Sequence, residues 1–163
     1  MRFKHVPRPP ASVDRVFESR QSVPLVPDTQ DDCCTRLMER VGFPERDEAA
    51  KWLTFLRALG LVAEHERGYA RTREDVEAAE LAERFLDGVY LAPAVRDAVA
   101  AADEPVSADA VFDAVAEGVP QYERNKYPTN WREVWGETVA RELDWLVLFG
   151  ALETTEDGRY RVA

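Results

Sequence analysis

The sequence predicts a mainly α-helical chain with small β-hairpins, organised as two copies of one helix–helix–hairpin module joined by a connecting helix. Three observations carry this. Apolar residues recur at i, i+3, i+4 spacing along most of the 163 residues. Short apolar segments flank a glycine turn at 61–72 and again at 151–162. Finally, WLTFLRALGLVAEHERGYAR (52–71) aligns with ELDWLVLFGALETTEDGRYR (142–161). Leu53 matches Leu143, Phe55 matches Trp145, Leu56 matches Leu146 and Gly60 matches Gly150. Gly68 matches Gly158, and Tyr69 matches Tyr160 after a one-residue slip. An internal repeat of this kind marks two copies of one structural unit.

Residues 1–11, MRFKHVPRPPA, read as an extended basic arm, because Pro7, Pro9 and Pro10 forbid a regular helix. Ser12 is placed to cap a short helix to about Arg20, with Val13, Val16 and Phe17 on one face. SVPLVP (22–27) is apolar, interrupted by proline and suited to a small edge strand. Asp28 or Thr29 starts the next helix. Its first turn carries Asp31 and Asp32, its stripe is Cys34, Leu37, Met38 and Val41, and Gly42 ends it. After the turn GFPER a helix begins near Asp47, lines one face with Ala49, Trp52, Leu53, Leu56 and Leu59, and stops at Gly60. Leu61-Val62, the polar tip His65-Glu66-Arg67-Gly68 and Tyr69-Ala70-Arg71-Thr72 then make a hairpin. Residues 73–90 read as an acidic connecting helix, helical from Arg73 to Gly88, with Leu81, Phe85 and Val89 on one side. It is expected to pack on one or both modules, since about 70 residues bury only roughly 60% of their unfolded surface.

The second copy covers 91–163. Pro93 suits a first helical turn, and Val95, Ala98, Val99 and Ala102 form the stripe behind it. Glu104-Pro105-Val106 is a strand-like stub, and Ser107 caps a helix with Ala108, Val111, Phe112 and Val115 inside. GVPQYERNKYPTN (118–130) is an insertion where the first copy has only a few residues. Asn130 and Glu133 have the spacing of a capping box. The long helix after them carries Trp135, Val139, Leu143 and Leu146, and Asp157-Gly158 is a two-residue hairpin signal.

The order helix, strand, helix, turn, helix, hairpin resembles a winged helix-turn-helix. The resemblance is clearest over RLMERVGFPERDEAAKWLTFLRALGLVAEHERGYART (36–72), where Leu59-Gly60-Leu61-Val62 leads into the wing. It implies two winged helix-turn-helix modules, 12–72 and 91–163. The chain as a whole resembles a halophile-specific group of small tandem winged-helix proteins with no established role.

Composition agrees with that source. Asp and Glu total 31 against 21 Lys and Arg, for a net charge of −10. Only Lys4, Lys51 and Lys126 are lysines. The pattern resembles proteins of halophilic archaea, although a GC-rich genome also favours Arg and Ala. Charge this negative aids solubility and adds self-repulsion, which salt screens to about 3 Å at 1 M. It is also uneven: residues 1–27 carry five basic and two acidic groups, residues 73–118 three and twelve.

Several classes drop out. No apolar run approaches membrane-spanning length, and Met1–Pro10 has no apolar stretch of a secretory leader, so a cytoplasmic location is expected. Two cysteines and two histidines cannot build a disulfide framework or a four-ligand Cys/His zinc site. Cys33 and Cys34 are adjacent on a helix, about 100° apart, and read as small buried hydrophobes. His5 and His65 lack a local partner at metal spacing. No nucleophile elbow, P-loop or dinucleotide fingerprint occurs, so neither an enzyme nor a cofactor is expected.

Two functional readings stand. In winged-helix DNA binders the helix after the turn enters the major groove and the wing reaches phosphate. In the first copy that helix starts Glu45-Arg46-Asp47-Glu48, three carboxylates partly offset by Lys51, Arg57, Arg67 and Arg71. The second copy offers QYERNKYPTNWR (121–132), where Arg124, Lys126 and Arg132 interleave with Tyr122, Tyr127 and Trp131. Arg159 and Arg161 on the second wing extend that patch, and Arg2, Lys4 and Arg8 of the arm could enter a minor groove. This set makes a double-stranded-DNA-binding transcriptional regulator the leading expectation, with the other reading as its alternative. The acidic 73–118 region and the acidic start of the first helix favour a protein-interaction scaffold, as in the acidic winged-helix accessory subunits of condensin complexes. A homodimer is compatible with either.

Overall fold

A computed structural model describes residues 4–163. Arg2 and Phe3 of the predicted arm lie outside the described residues. The chain divides into two compact units, Met1–Val89 and Tyr90–Ala163.

The first unit runs α1 (Asp14–Ser22), α2 (Gln30–Arg40), α3 (Arg46–Ala58), β1 (Val62–His65), β2 (Gly68–Arg71), a 3-10 turn (Ala78–Glu80) and α4 (Leu81–Gly88). Thr29 caps α2, its hydroxyl accepting the Asp32 N–H at 3.1 Å. The wing is antiparallel, with Val62 opposite Arg71 and His65 opposite Gly68, which leaves Glu66-Arg67 as the turn. The edge strand expected over 22–27 does not form. Pro24 and Pro27 have no N–H to give a ladder, and pairing is reduced to a bridge between Asp28 and Tyr69, at 3.0 and 2.7 Å, and one bond from the Arg71 N–H to the Pro24 carbonyl at 2.8 Å. Gly68 sits beside this bridge at φ +130°, and a Cβ there would lie 1.9 Å from the Asp28 carbonyl oxygen. That crossing requires glycine.

Trp52, Leu53, Phe55 and Leu56 of α3 are buried with Leu37 of α2. Phe55 meets Phe85 of α4 edge-on, ring centres 6.2 Å apart, so α4 is part of this core. The helix expected from Arg73 to Gly88 begins only at the 3-10 turn. Upstream, buried Arg20 donates to the carbonyls of Thr72 and Glu74 at 3.0 and 2.8 Å, and Arg84 holds the Glu74 carboxylate at 2.7 Å. Glu77 and Glu80 then cap the helix start reciprocally.

The second unit runs α5 (Ala92–Ala101), α6 (Ala108–Val115), a 3-10 turn (Ala116–Gly118), α7 (Gln121–Lys126), α8 (Trp131–Leu148), β3 (Leu152–Thr154) and β4 (Tyr160–Val162). Val95, Val99, Val111, Trp135, Val139, Leu143 and Leu146 are buried. The plan of the first unit recurs. Ser107 caps α6, accepting the Ala110 N–H at 3.2 Å. Val106 bridges Tyr160 as Asp28 bridges Tyr69, so the two tyrosines are equivalent despite the one-residue slip in the alignment. Gly60 and Gly150, at φ +72° and +82°, end α3 and α8, and the Leu61 and Ala151 N–H groups return to Leu56 and Leu146 at 2.9 Å each.

Three features of the second unit differ from the sequence expectation. Thr154 pairs with Tyr160, so residues 155–159 make the turn, not Asp157-Gly158 alone. The slip in the repeat is that longer loop. The insertion contains a short helix, α7. Asn130 precedes α8 but makes no side-chain cap bond, because its φ of −141° and ψ of 21° do not aim the amide at the helix end, so the capping box is absent. Among the described residues, no helix is long and apolar enough to cross a membrane.

Candidate functional site

On the first unit, α3 and the wing occupy the positions that face nucleic acid in winged-helix DNA binders. Residue periodicity turns Asp47, Glu48, Lys51, Thr54 and Arg57 of α3 outward, all exposed. Arg57 lies 3.7 Å from Glu64 on β1, and Arg46 holds Asp31 at 2.9 Å. Arg67 is exposed at the wing tip. Lys51 and Arg67 make no ion pair among the described residues. Across α3 from Asp47 and the wing to Arg67, three cations (Lys51, Arg57, Arg67) face four carboxylates (Asp47, Glu48, Glu64, Glu66). Arg71 does not join them. It closes the far end of β2, about 13 Å from Arg67 by strand rise, and its Nη1 donates to Gln21 Oε1.

On the second unit the basic–aromatic stretch is largely engaged with its own fold. Arg124 stacks on Trp131 at 4.3 Å and donates to the carbonyls of Val119 and Ala116 at 3.2 and 3.0 Å. It thereby fastens α7 to the end of α6. Arg132 lies 5.2 Å from both the Phe112 and Trp131 rings and pairs with Asp113 at 3.0 Å. Lys126 is exposed over Tyr127, at 5.5 Å, and Tyr122 is 57% exposed. On the wing, Arg161 holds Glu153 directly across the hairpin at 2.6 Å. Arg159 lies 3.3 Å from Asp157 and donates to the Pro105 carbonyl at 3.4 Å.

The wing residues and the stretch around Arg132 are also not brought to one place along α8. The Tyr160 hydroxyl, between Arg159 and Arg161, donates to Asp144 at 2.5 Å. Asp144 is about 18 Å from Arg132 along the axis. Outward on α8 are Arg132, Glu133, Glu137 and Asp144, with half-buried Arg141 on Glu137 at 2.7 Å.

In 73–118 all twelve acidic side chains are exposed, and ion pairs engage Glu74 with Arg84, Asp97 with Arg96 and Asp113 with Arg132. Cys33 and Cys34 are both buried. Burial, then the neighbouring Asp28, pushes the Cys33 thiol up to about 11, so it is an inert packing group.

The sequence reading passed over Glu142. This residue of α8 is fully buried, neither carboxyl oxygen has a hydrogen-bond partner among the described residues, and burial raises its pKa well above the usual carboxylate value. The signal was in the repeat: Glu142 aligns with Trp52, itself buried in α3.

A family model described as the halobacterial double winged helix domain matches residues 1–163, and the chain belongs to that family. No curated protein and no solved structure matches the chain.

Proposed function

We propose that this member of the halobacterial double winged helix family is a non-catalytic protein-interaction module. One observation carries the reading: the arginines best placed for phosphate already have partners within their own unit. Arg57, Arg132, Arg159 and Arg161 face carboxylates, and Arg124 holds two carbonyls. DNA affinity grows by releasing counterions, with a slope of about −0.9 in log K against log salt for each phosphate neutralised. A face with more carboxylates than cations releases few of them. The exposed acids of 73–118, including Asp75, Glu83 and Asp87 on the first unit and Asp103, Glu104 and Asp109 on the second, suit a partner with a basic surface.

A second reading, a DNA-binding transcriptional regulator, is favoured by the fold itself, which often binds DNA, and by Lys51, Thr54 and Arg67, exposed on α3 and the wing tip. Retention of a genomic fragment library, measured from low salt to molar KCl, separates the two. The interaction reading expects little retention at any salt. It also expects crosslinks in cells to one basic partner, lost when Asp75, Glu83 and Asp87 are changed to Ser. Retention with a steep salt slope, reduced by Lys51→Ala and Arg67→Ala, would replace it with the regulator.

A further inference from the structure

Beside the first wing lies a groove of about 290 Å³, lined by Arg20 and Gln21 of α1, Leu25, and Arg71, Arg73 and Asp75 at and beyond the end of β2. Among the described residues its cations lack the carboxylate partners that Arg57, Arg132, Arg159 and Arg161 have. Arg20 is only 7% exposed, and its Nε and Nη2 go to neutral acceptors: the Leu61, Thr72 and Glu74 carbonyls and the Thr72 hydroxyl. Its Nη1 donates no hydrogen bond among the described residues. Arg71 gives Nη1 to the neutral Gln21 amide, while its Nε is buried with no acceptor. Arg73 is exposed and makes no hydrogen bond or ion pair among the described residues.

Carboxylates do not balance this set. Glu74 also borders the groove, but its carboxylate is held by Arg84 at 2.7 Å. That leaves Asp75 against three guanidinium groups, in a protein whose net charge is −10. The crowding is felt within the groove. Desolvation first, and Arg71 second, hold the Arg20 pKa below its ordinary value, with Glu74 and Asp75 pulling the other way. A guanidinium buried on neutral acceptors, beside a second one whose partner is a neutral amide, is an unfavourable arrangement for a fold to keep without an anion.

We propose that this groove binds a small organic oxyanion, a carboxylate or a phosphate ester, on the open donors of Arg71 and Arg73, with Arg20 as a fixed positive floor. With Nη1 of Arg71 held by Gln21 and its Nε closed off from solvent, Nη2 is the donor of Arg71 left to meet an oxyanion oxygen, beside the guanidinium of Arg73. Leu25, 41% exposed, supplies an apolar wall for the carbon skeleton. The volume suits a ligand at the small end of the usual range.

The test is titration of the full chain in molar KCl with inorganic phosphate and, separately, with succinate. It is read by the arginine Nε–H signals in ¹⁵N-correlated NMR and by the thermal midpoint. The expected result is saturable movement of the Arg71 Nε signal and a rise in midpoint beyond that of the same ionic strength of added KCl. Arg73→Gln, which removes no bond of the fold, should weaken binding by about tenfold or more, as should Arg71→Gln. Response to phosphate alone assigns a phosphate ester, response to succinate alone a carboxylate, and response to both an oxyanion of either kind. No saturable shift with either anion, or a parent-like response in both variants, overturns the site.

Discussion

Replacing Glu142 with Leu removes a carboxyl group that sits in α8 with neither oxygen bonded and no surface exposed. A buried polar group without a partner costs about 1–3 kcal/mol by mutational measure, so Glu142→Leu should stabilise the protein by about that much in acid. The gain should then grow with pH. In the unfolded chain a glutamate ionises near about pH 4.3, whereas burial keeps Glu142 protonated in the fold well above that. Between the two values the folded state binds one more proton than the unfolded state, so its stability falls as pH rises, by about 1.4 kcal/mol per pH unit. The loss begins at the unfolded value and levels off at the folded one. Urea unfolding of the parent, Glu142→Leu and Glu142→Gln at fixed KCl, from about pH 5 to pH 8, reads the effect as a difference that cancels the other carboxylates. Glu142→Gln, which cannot ionise, should share the widening gap but keep most of the polar burial cost. A parent-to-Leu gap that stays constant over this range would show that the carboxyl group ionises normally in the fold, and would refute the argument.

Three further outcomes are expected from the packing. Arg124→Ala should destabilise by about 1–3 kcal/mol, since it orphans the Val119 carbonyl, takes one of two donors from the Ala116 carbonyl and strips the Trp131 face. Lys126→Ala, two residues on, should stay within about 0.5 kcal/mol, both measured by urea denaturation. Gly68→Ala should cost at least about 2 kcal/mol, because its Cβ would occupy the Asp28 carbonyl. Gly158→Ala, with nothing within 4 Å, should cost only the roughly 1–2 kcal/mol of a left-handed backbone. Finally, urea midpoints should rise from low salt to molar KCl, because most of the exposed acids of 73–118 repel one another without a partner. A flat or falling midpoint would assign the lysine-poor composition to genome drift.

The fold was legible where the repeat doubled each signal. Leu56 with Leu146, Gly60 with Gly150 and Tyr69 with Tyr160 occupy equivalent places, and even the one-residue slip had a physical cause in the longer second turn. What failed was local chemistry read one residue at a time. Asn130 and Glu133 have the right spacing for a capping box, but spacing does not fix the ψ angle that aims the amide. The acidic run 73–80 has helix-forming residues, yet Arg20, more than fifty residues earlier in the chain, takes the carbonyls of Thr72 and Glu74 and delays the helix. Long-range side-chain bonds of this kind leave no periodicity in the sequence.

The candidate site illustrates the same limit with more consequence. Arg124, Lys126 and Arg132 among aromatic residues look alike as letters, and composition counts each as one cation available to phosphate. Their surroundings make them three different groups. Arg124 is a fastener between α7 and α6, Arg132 is a stacked ion pair, and Lys126 alone keeps an ammonium without a carboxylate. The reverse holds for Arg20 and Arg71, which read as a plain helix residue and a wing residue, yet the fold sets them side by side with no ion pair among the described residues. Net charge is additive along a sequence, but the charge a ligand meets is what remains after the fold has paired its own groups. Among the described residues that remainder is negative at the exposed acids of 77–118 and positive in the groove beside the first wing. A test of function that assays only the α3 face would therefore miss a second place where the structure leaves cations unanswered.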